Sequence, residues 1–113
     1  MKYAIMYNLR AENKAKLDEL FNSIQQKLEG KARWENAANP NSHAKGTDEK
    51  GKPVNSGMQR FKNKADAKDV YDHIAKLADK IPWISGNVHI HRCIGHDGEE
   101  SGSCEIIEEF EKK

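Results

Sequence analysis

No stretch of the 113-residue chain approaches the length of a membrane span, which takes roughly 20 consecutive apolar residues. No signal peptide is expected either. The opening Met1-Lys2-Tyr3-Ala4-Ile5-Met6 reaches the charge at Arg10 too soon and offers no small-residue cleavage site. A cytosolic protein is therefore expected, with no membrane partner. Cysteine is scarce: Cys93 and Cys104 are expected there as reduced thiols, with a strained or regulatory disulfide as the alternative. The chain has no glycine-rich phosphate loop, no Gly-x-Ser-x-Gly elbow, and no pair of carboxylates at fixed spacing on one element. It also lacks a dense basic run interleaved with aromatics, so the footprint of a nucleic-acid-binding domain is weak.

What is present suits one small domain, residues 1–113, with one core. The charged fraction of 33% against 36% apolar is wet, but the net charge is only +1 and the apolar residues recur at regular spacings. That balance hides an asymmetry. Residues 1–64 hold 13 Lys and Arg against 7 Asp and Glu, a net of +6, whereas residues 65–113 hold 6 against 11, a net of −5. A basic first half can attract phosphate and an acidic second half a basic partner, unless both are ordinary solvated faces.

Periodicity orders the chain. Tyr3, Ile5, Tyr7 and Leu9 alternate with Ala4, Met6 and Asn8, the pattern of a central strand over 2–9. Leu17, Leu20, Phe21, Ile24 and Leu28 then form a stripe of helical period, predicting a helix over 12–29 that stops at Gly30. A short second strand is expected over 31–36, carrying Trp34. Residues 39–57, whose only large aliphatic side chain is Val54, read as a flexible loop. A third strand over 57–62 carries Met58, Arg60 and Phe61. A second helix over 64–80 buries Ala67, Val70, Tyr71, Ile74, Leu77, Ala78 and Ile81, and Pro82 ends it. A fourth strand over 88–95 and a fifth over 104–110 form a hairpin around a turn rich in Gly, Asp and Ser.

The most specific local feature is His89-Ile90-His91-Arg92-Cys93. Strand alternation puts His89, His91 and Cys93 on one face and Val88, Ile90 and Ile94 on the other. The aliphatic set suits the core under the helices, so two imidazoles and a thiol share the open face of the sheet. His96, Asp97 and Cys104 stand near enough in sequence to complete a shell, and such donors suit zinc or copper better than magnesium. The competing reading is that these are tolerated polar residues on an exposed or dimer-forming face. His89-Ile90-His91 also matches the histidine–hydrophobic–histidine motif of nucleases that nick single-stranded DNA with a tyrosine. Tyr71, with Lys76 nearby, is the candidate nucleophile, although it lies on an apolar stripe that marks core residues. Trp34 and Trp83 offer rings for stacking on a base or ligand, or simply area for the core; Trp34 and Arg60 join His89, His91 and Cys93 as candidate binding residues.

The opening Lys2-Tyr3-Ala4-Ile5-Met6-Tyr7-Asn8-Leu9 resembles the first strand of the virulence-associated protein D family, and of the related small nuclease subunit of CRISPR adaptation. Ile81-Pro82-Trp83, which follows a helix and leads into Val88–Ile94, is also similar to the first of these families. The resemblance covers about half of the chain. It implies a ferredoxin-like fold, a dimer, and an endoribonuclease whose acidic residue ends the first strand. Asn8 stands at that position here, and it cannot ionise.

The expected fold is thus α+β: a ferredoxin-like βαββαβ sandwich, its antiparallel sheet covered on one face by two helices, with an added C-terminal strand. The expected function is a non-catalytic binding or inhibitor module for a protein or nucleic-acid partner, acting through the open sheet face and the 39–57 loop and pairing with a second copy through the sheet. The alternatives are an endoribonuclease of the family just named, or a metal-binding protein built on the His-x-His-x-Cys strand.

Overall fold

The structure, a computed structural model, describes residues 2–94 and 103–113. Strand β1, Lys2–Ala11, turns Ile5, Tyr7 and Leu9 into the core. Helix α1, Lys14–Leu28, starts at Asn13, whose side chain accepts the Lys16 backbone N–H at 2.9 Å. That bond satisfies one of the donors every helix leaves free at its start. Its buried stripe is Leu17, Leu20, Ile24 and Leu28, with Phe21 only partly covered, and Gly30 turns the chain away at φ +78°. Helix α2, Lys64–Lys80, repeats the scheme: Asn63 accepts from Asp66 N–H at 2.8 Å, and Ala67, Val70, Tyr71, Ile74 and Ala78 are buried. Ile81 caps it, just before Pro82.

Three further strands join β1 and β3, Pro53–Phe61, in one sheet: β2, Ser42–Thr47; β4, Ile84–Ile94; and β5, Ser103–Lys112. The order across it is β2-β3-β1-β4-β5, and every neighbouring pair is antiparallel. Leu20, Ile24 and Leu28 of α1 and the stripe of α2 form one cluster with Ile5, Leu9, Phe61, Ile84, Val88 and Ile90, so both helices cover the same face. Each such side chain contributes about 1.5–3 kcal/mol on burial. No helix among the described residues is long and apolar enough to cross a membrane.

The middle of the chain departs from its sequence reading. Residues 31–36, expected as the second strand, contribute a single bridge between Arg33 and Phe61, flanked by bonds from Trp34 N–H to the Arg60 carbonyl (3.1 Å) and from Lys62 N–H to the Ala32 carbonyl (2.8 Å). The second strand is instead β2, inside the stretch 39–57 that reads as a loop, and β3 begins at Pro53 rather than at 57. An edge strand needs no apolar alternation when its backbone is paired and its neighbours supply polar anchors. Here Asn55 Nδ2 donates to the Ala44 carbonyl at 3.0 Å, and Gln59 Nε2 to the Ser42 carbonyl at 2.8 Å. Residues 39–41 and 48–52 remain outside the strands, and in the second of these Asp48 Oδ1 accepts the backbone N–H groups of Lys50 and Lys52, each at 2.9 Å.

β4 starts at Ile84, four residues before the alternation suggests. Gly86 hides its beginning: it looks like a turn residue but lies within the strand at φ +125°, and a Cβ there would collide with the Asn8 carbonyl. The β4–β5 hairpin is present, with a register shift at Ile90/His91 that leaves Ile107 without an opposite residue. β5 is also tied to α2. Lys112 Nζ donates to the carbonyls of Ala78 (2.6 Å) and Ile81 (2.9 Å), and Lys68 Nζ pairs with Glu108 at 2.7 Å.

Candidate functional site on the open sheet face

Residues directly opposite in an antiparallel pair point to the same face, so the register defines the surface away from the helices. One row across it runs Arg60, Ala4, His91, Ile106, and the next runs Met58, Met6, His89, Glu109. Lys2, Cys93 and Cys104 form the row at one end; Ser56, Asn8, Asn87 and Glu111 form one nearer the other. His89, His91 and Cys93 therefore share the open face, as alternation requires, while Val88 and Ile90 are buried under the helices. Ile94, expected with them, is 56% exposed, one residue beyond the last β4 position paired with β1.

The two imidazoles touch. His91 Nε2 and His89 Nδ1 lie 2.6 Å apart, with ring centroids separated by 4.6 Å. One ring donates N–H and the other accepts, an arrangement that requires at least one neutral imidazole. Burial pulls both below the usual histidine range, and for His91 the neighbouring His89 adds to the effect. At neutral pH both rings keep a lone pair.

The cysteines are not the free thiols expected from the sequence: Cys93 and Cys104 are joined in a disulfide, their Cα atoms 4.1 Å apart. The hairpin register is the reason, since it sets the two residues directly opposite each other on the same face. Cys93 is only 5% exposed, while Cys104 on the outer strand is open to solvent. Ligand atoms of His91, Cys93 and Cys104 all lie within 4.8 Å of one another. His89 joins through its bond to His91. His96 and Asp97 lie outside the described residues.

The remaining candidates separate. Arg60 borders this face, reaching the Pro40 carbonyl and, at 3.2 Å, Met58 Sδ. Trp34 lies alongside the end of β3, its backbone N–H reaching the Arg60 carbonyl at 3.1 Å, and Lys2 Nζ stands 4.2 Å above its ring. Tyr71 is buried on the helix side of the sheet, the opposite side from His89 and His91. Tyr71 and the two histidines therefore do not share a face of the sheet.

Ile106 and Glu109 were missed as site residues; they become visible only when β5 is registered against β4. So was a polar cluster on the helix side. Tyr7 Oη is 2.8 Å from His43 Nδ1, His43 Nε2 is 3.1 Å from the Phe21 carbonyl, and the Phe21 and His43 rings stack at 3.9 Å. A lone histidine in the polar run 39–57 was its only sequence signal.

No known family model, curated protein or solved structure matches the chain.

Proposed function

We propose that the protein is a non-catalytic binding module, built on a ferredoxin-like scaffold with a fifth strand, that engages a protein partner through the open face of its sheet. The strand order β2-β3-β1-β4, with a helix in each crossover, supports the scaffold. The observation that carries the reading is the pair of cross-strand rows Met58–Met6–His89 and Ala4–His91–Ile106. They make a soft, largely apolar middle, bordered by Arg60 on the β3 side and by Glu109 and Glu111 on β5. Methionines in such a position adapt to a partner's shape.

A second copy of the chain fits this surface. A two-fold axis parallel to the strands, lying between two such faces, would set Arg60 of one copy over the β5 carboxylates of the other, a self-complementary contact. The test is sedimentation at micromolar concentration. The wild type is expected as a dimer, and Met6→Glu combined with Met58→Glu as a monomer with unchanged far-ultraviolet circular dichroism. A wild type found only as the 12.8 kDa species rejects the second copy as partner.

A second reading, metal binding, is favoured by one observation, the convergence of His91, Cys93 and Cys104. The endoribonuclease reading has no comparable support: Asn8 faces Ser56 and Asn87, and none of the three is a carboxylate.

A further inference from the structure

We infer that Cys93, Cys104 and His91 form a zinc site that exists only when the Cys93–Cys104 disulfide is reduced, so that metal binding and disulfide formation exclude each other at this end of the open face. The inference rests on the metal-binding reading and adds its chemical condition.

The geometry suits a single ion. Zn–N and Zn–S bonds of about 2.0 and 2.3 Å place tetrahedral ligand atoms about 3.3–3.8 Å from one another. The three candidate atoms already lie within 4.8 Å of each other, so small side-chain rotations bring them to one centre. With the disulfide closed they cannot do this, because each sulfur spends its thiolate pair on the other, and zinc takes thiolates.

His89 sets the tautomer of the imidazole ligand. With its proton on Nε2, His91 donates to His89 Nδ1, which leaves the lone pair of His91 Nδ1 for the metal. His89 is therefore a positioning residue, and among the described residues the ligand set is His91, Cys93 and Cys104.

The redox step balances with a small thiol as reductant. Its thiolate attacks the exposed Cys104 sulfur, the S–S bond breaks, and Cys93 leaves as thiolate. A second thiol then releases Cys104 and departs in a disulfide with the first. Two electrons have passed to the protein. Zinc then binds both sulfurs as thiolates, and any proton that either has taken up is released to solvent. Exchange with a small-molecule disulfide reverses the sequence and expels the metal.

The test uses the full chain in two states: oxidised, and reduced by a phosphine, which does not compete for zinc. Zinc is titrated against a chromophoric chelator, and cobalt(II) is used as a spectroscopic substitute. The reduced protein should bind one ion per chain, show thiolate-to-cobalt charge transfer, and protect both cysteines from alkylation. The oxidised protein should do none of these. His89→Ala in the reduced state should weaken binding by about 10–100-fold. Cys104→Ser, which retains Cys93 but cannot close the disulfide, should bind poorly in both states. No binding in either state overturns the metal reading and this inference with it, whereas equal binding in both states overturns the redox condition alone. A folded His91→Ala protein, checked by circular dichroism, that keeps wild-type affinity overturns the ligand assignment.

Discussion

The Tyr7 hydroxyl reaches His43 Nδ1 at 2.8 Å across an intervening strand. Tyr7 on β1 and His43 on β2 are each directly opposite Gly57 of β3, and the missing side chain of Gly57 leaves the space in which they meet. A Cβ at Gly57 would overlap the Tyr7 ring and hydroxyl and the Ser42 carbonyl. Gly57→Ala should therefore destabilise the protein by about 1–3 kcal/mol, as overpacking does. Tyr7→Phe, which removes only the hydrogen bond, should cost about 1 kcal/mol. Urea unfolding of both variants checks the order; an alanine variant as stable as the wild type contradicts it.

Stability should fall as pH drops below the ordinary histidine range. Burial holds His43 and His73 below the ordinary histidine value of 6.5, so the unfolded chain takes up protons first on acidification. A depressed histidine pKa stabilises fully above the unfolded value and loses that contribution as pH falls from it toward the folded one. Urea midpoints measured from about pH 8 down to about pH 5 should show this slope, and His43→Gln should flatten it. An unchanged slope in that variant assigns the effect elsewhere.

Lys112 should anchor β5 to the end of α2. Its ammonium takes the carbonyl of Ala78, left without a helical donor because Pro82 stands four residues on, and that of Ile81, which also accepts the Ile84 N–H at 3.1 Å. Lys112→Met keeps most of the aliphatic stem and should cost about 0.5–2 kcal/mol. Hydrogen exchange should rise in the last turn of α2 and along β5; exchange confined to wild-type rates in both elements rejects the anchor.

Opening the disulfide should cost stability even without metal. The bridge closes a loop over a sequence separation of 11, worth about 3 kcal/mol in the chain-entropy description. Phosphine-reduced protein should unfold at lower urea than oxidised protein, and saturating zinc should restore part of the difference by mass action. Identical midpoints before and after reduction count against a bridge that constrains the unfolded chain.

Much of this protein is legible in one dimension. Both helices, β1 and the β4–β5 hairpin follow from local rules: a stripe of period 3.6, alternation of period two, Asn caps, Gly30 and Pro82. The same alternation determines that His89, His91 and Cys93 share a face and that Val88 and Ile90 lie under the helices. What the sequence did not contain is partnership. β2 carries no apolar pattern because it is an edge strand, held by backbone bonds and by Asn55, Gln59 and His43, whose roles exist only once β3 lies beside it. The start of β4 before residue 88 depends on β1 packing against the bare Cα of Gly86. The pairing of Cys93 with Cys104, and the arrival of Ile106 beside His91, depend on the register of β5 across a bulge. Local periodicity decides which way a side chain points, whereas which other side chain it meets depends on contacts between residues distant in sequence, and only the tertiary structure supplies those.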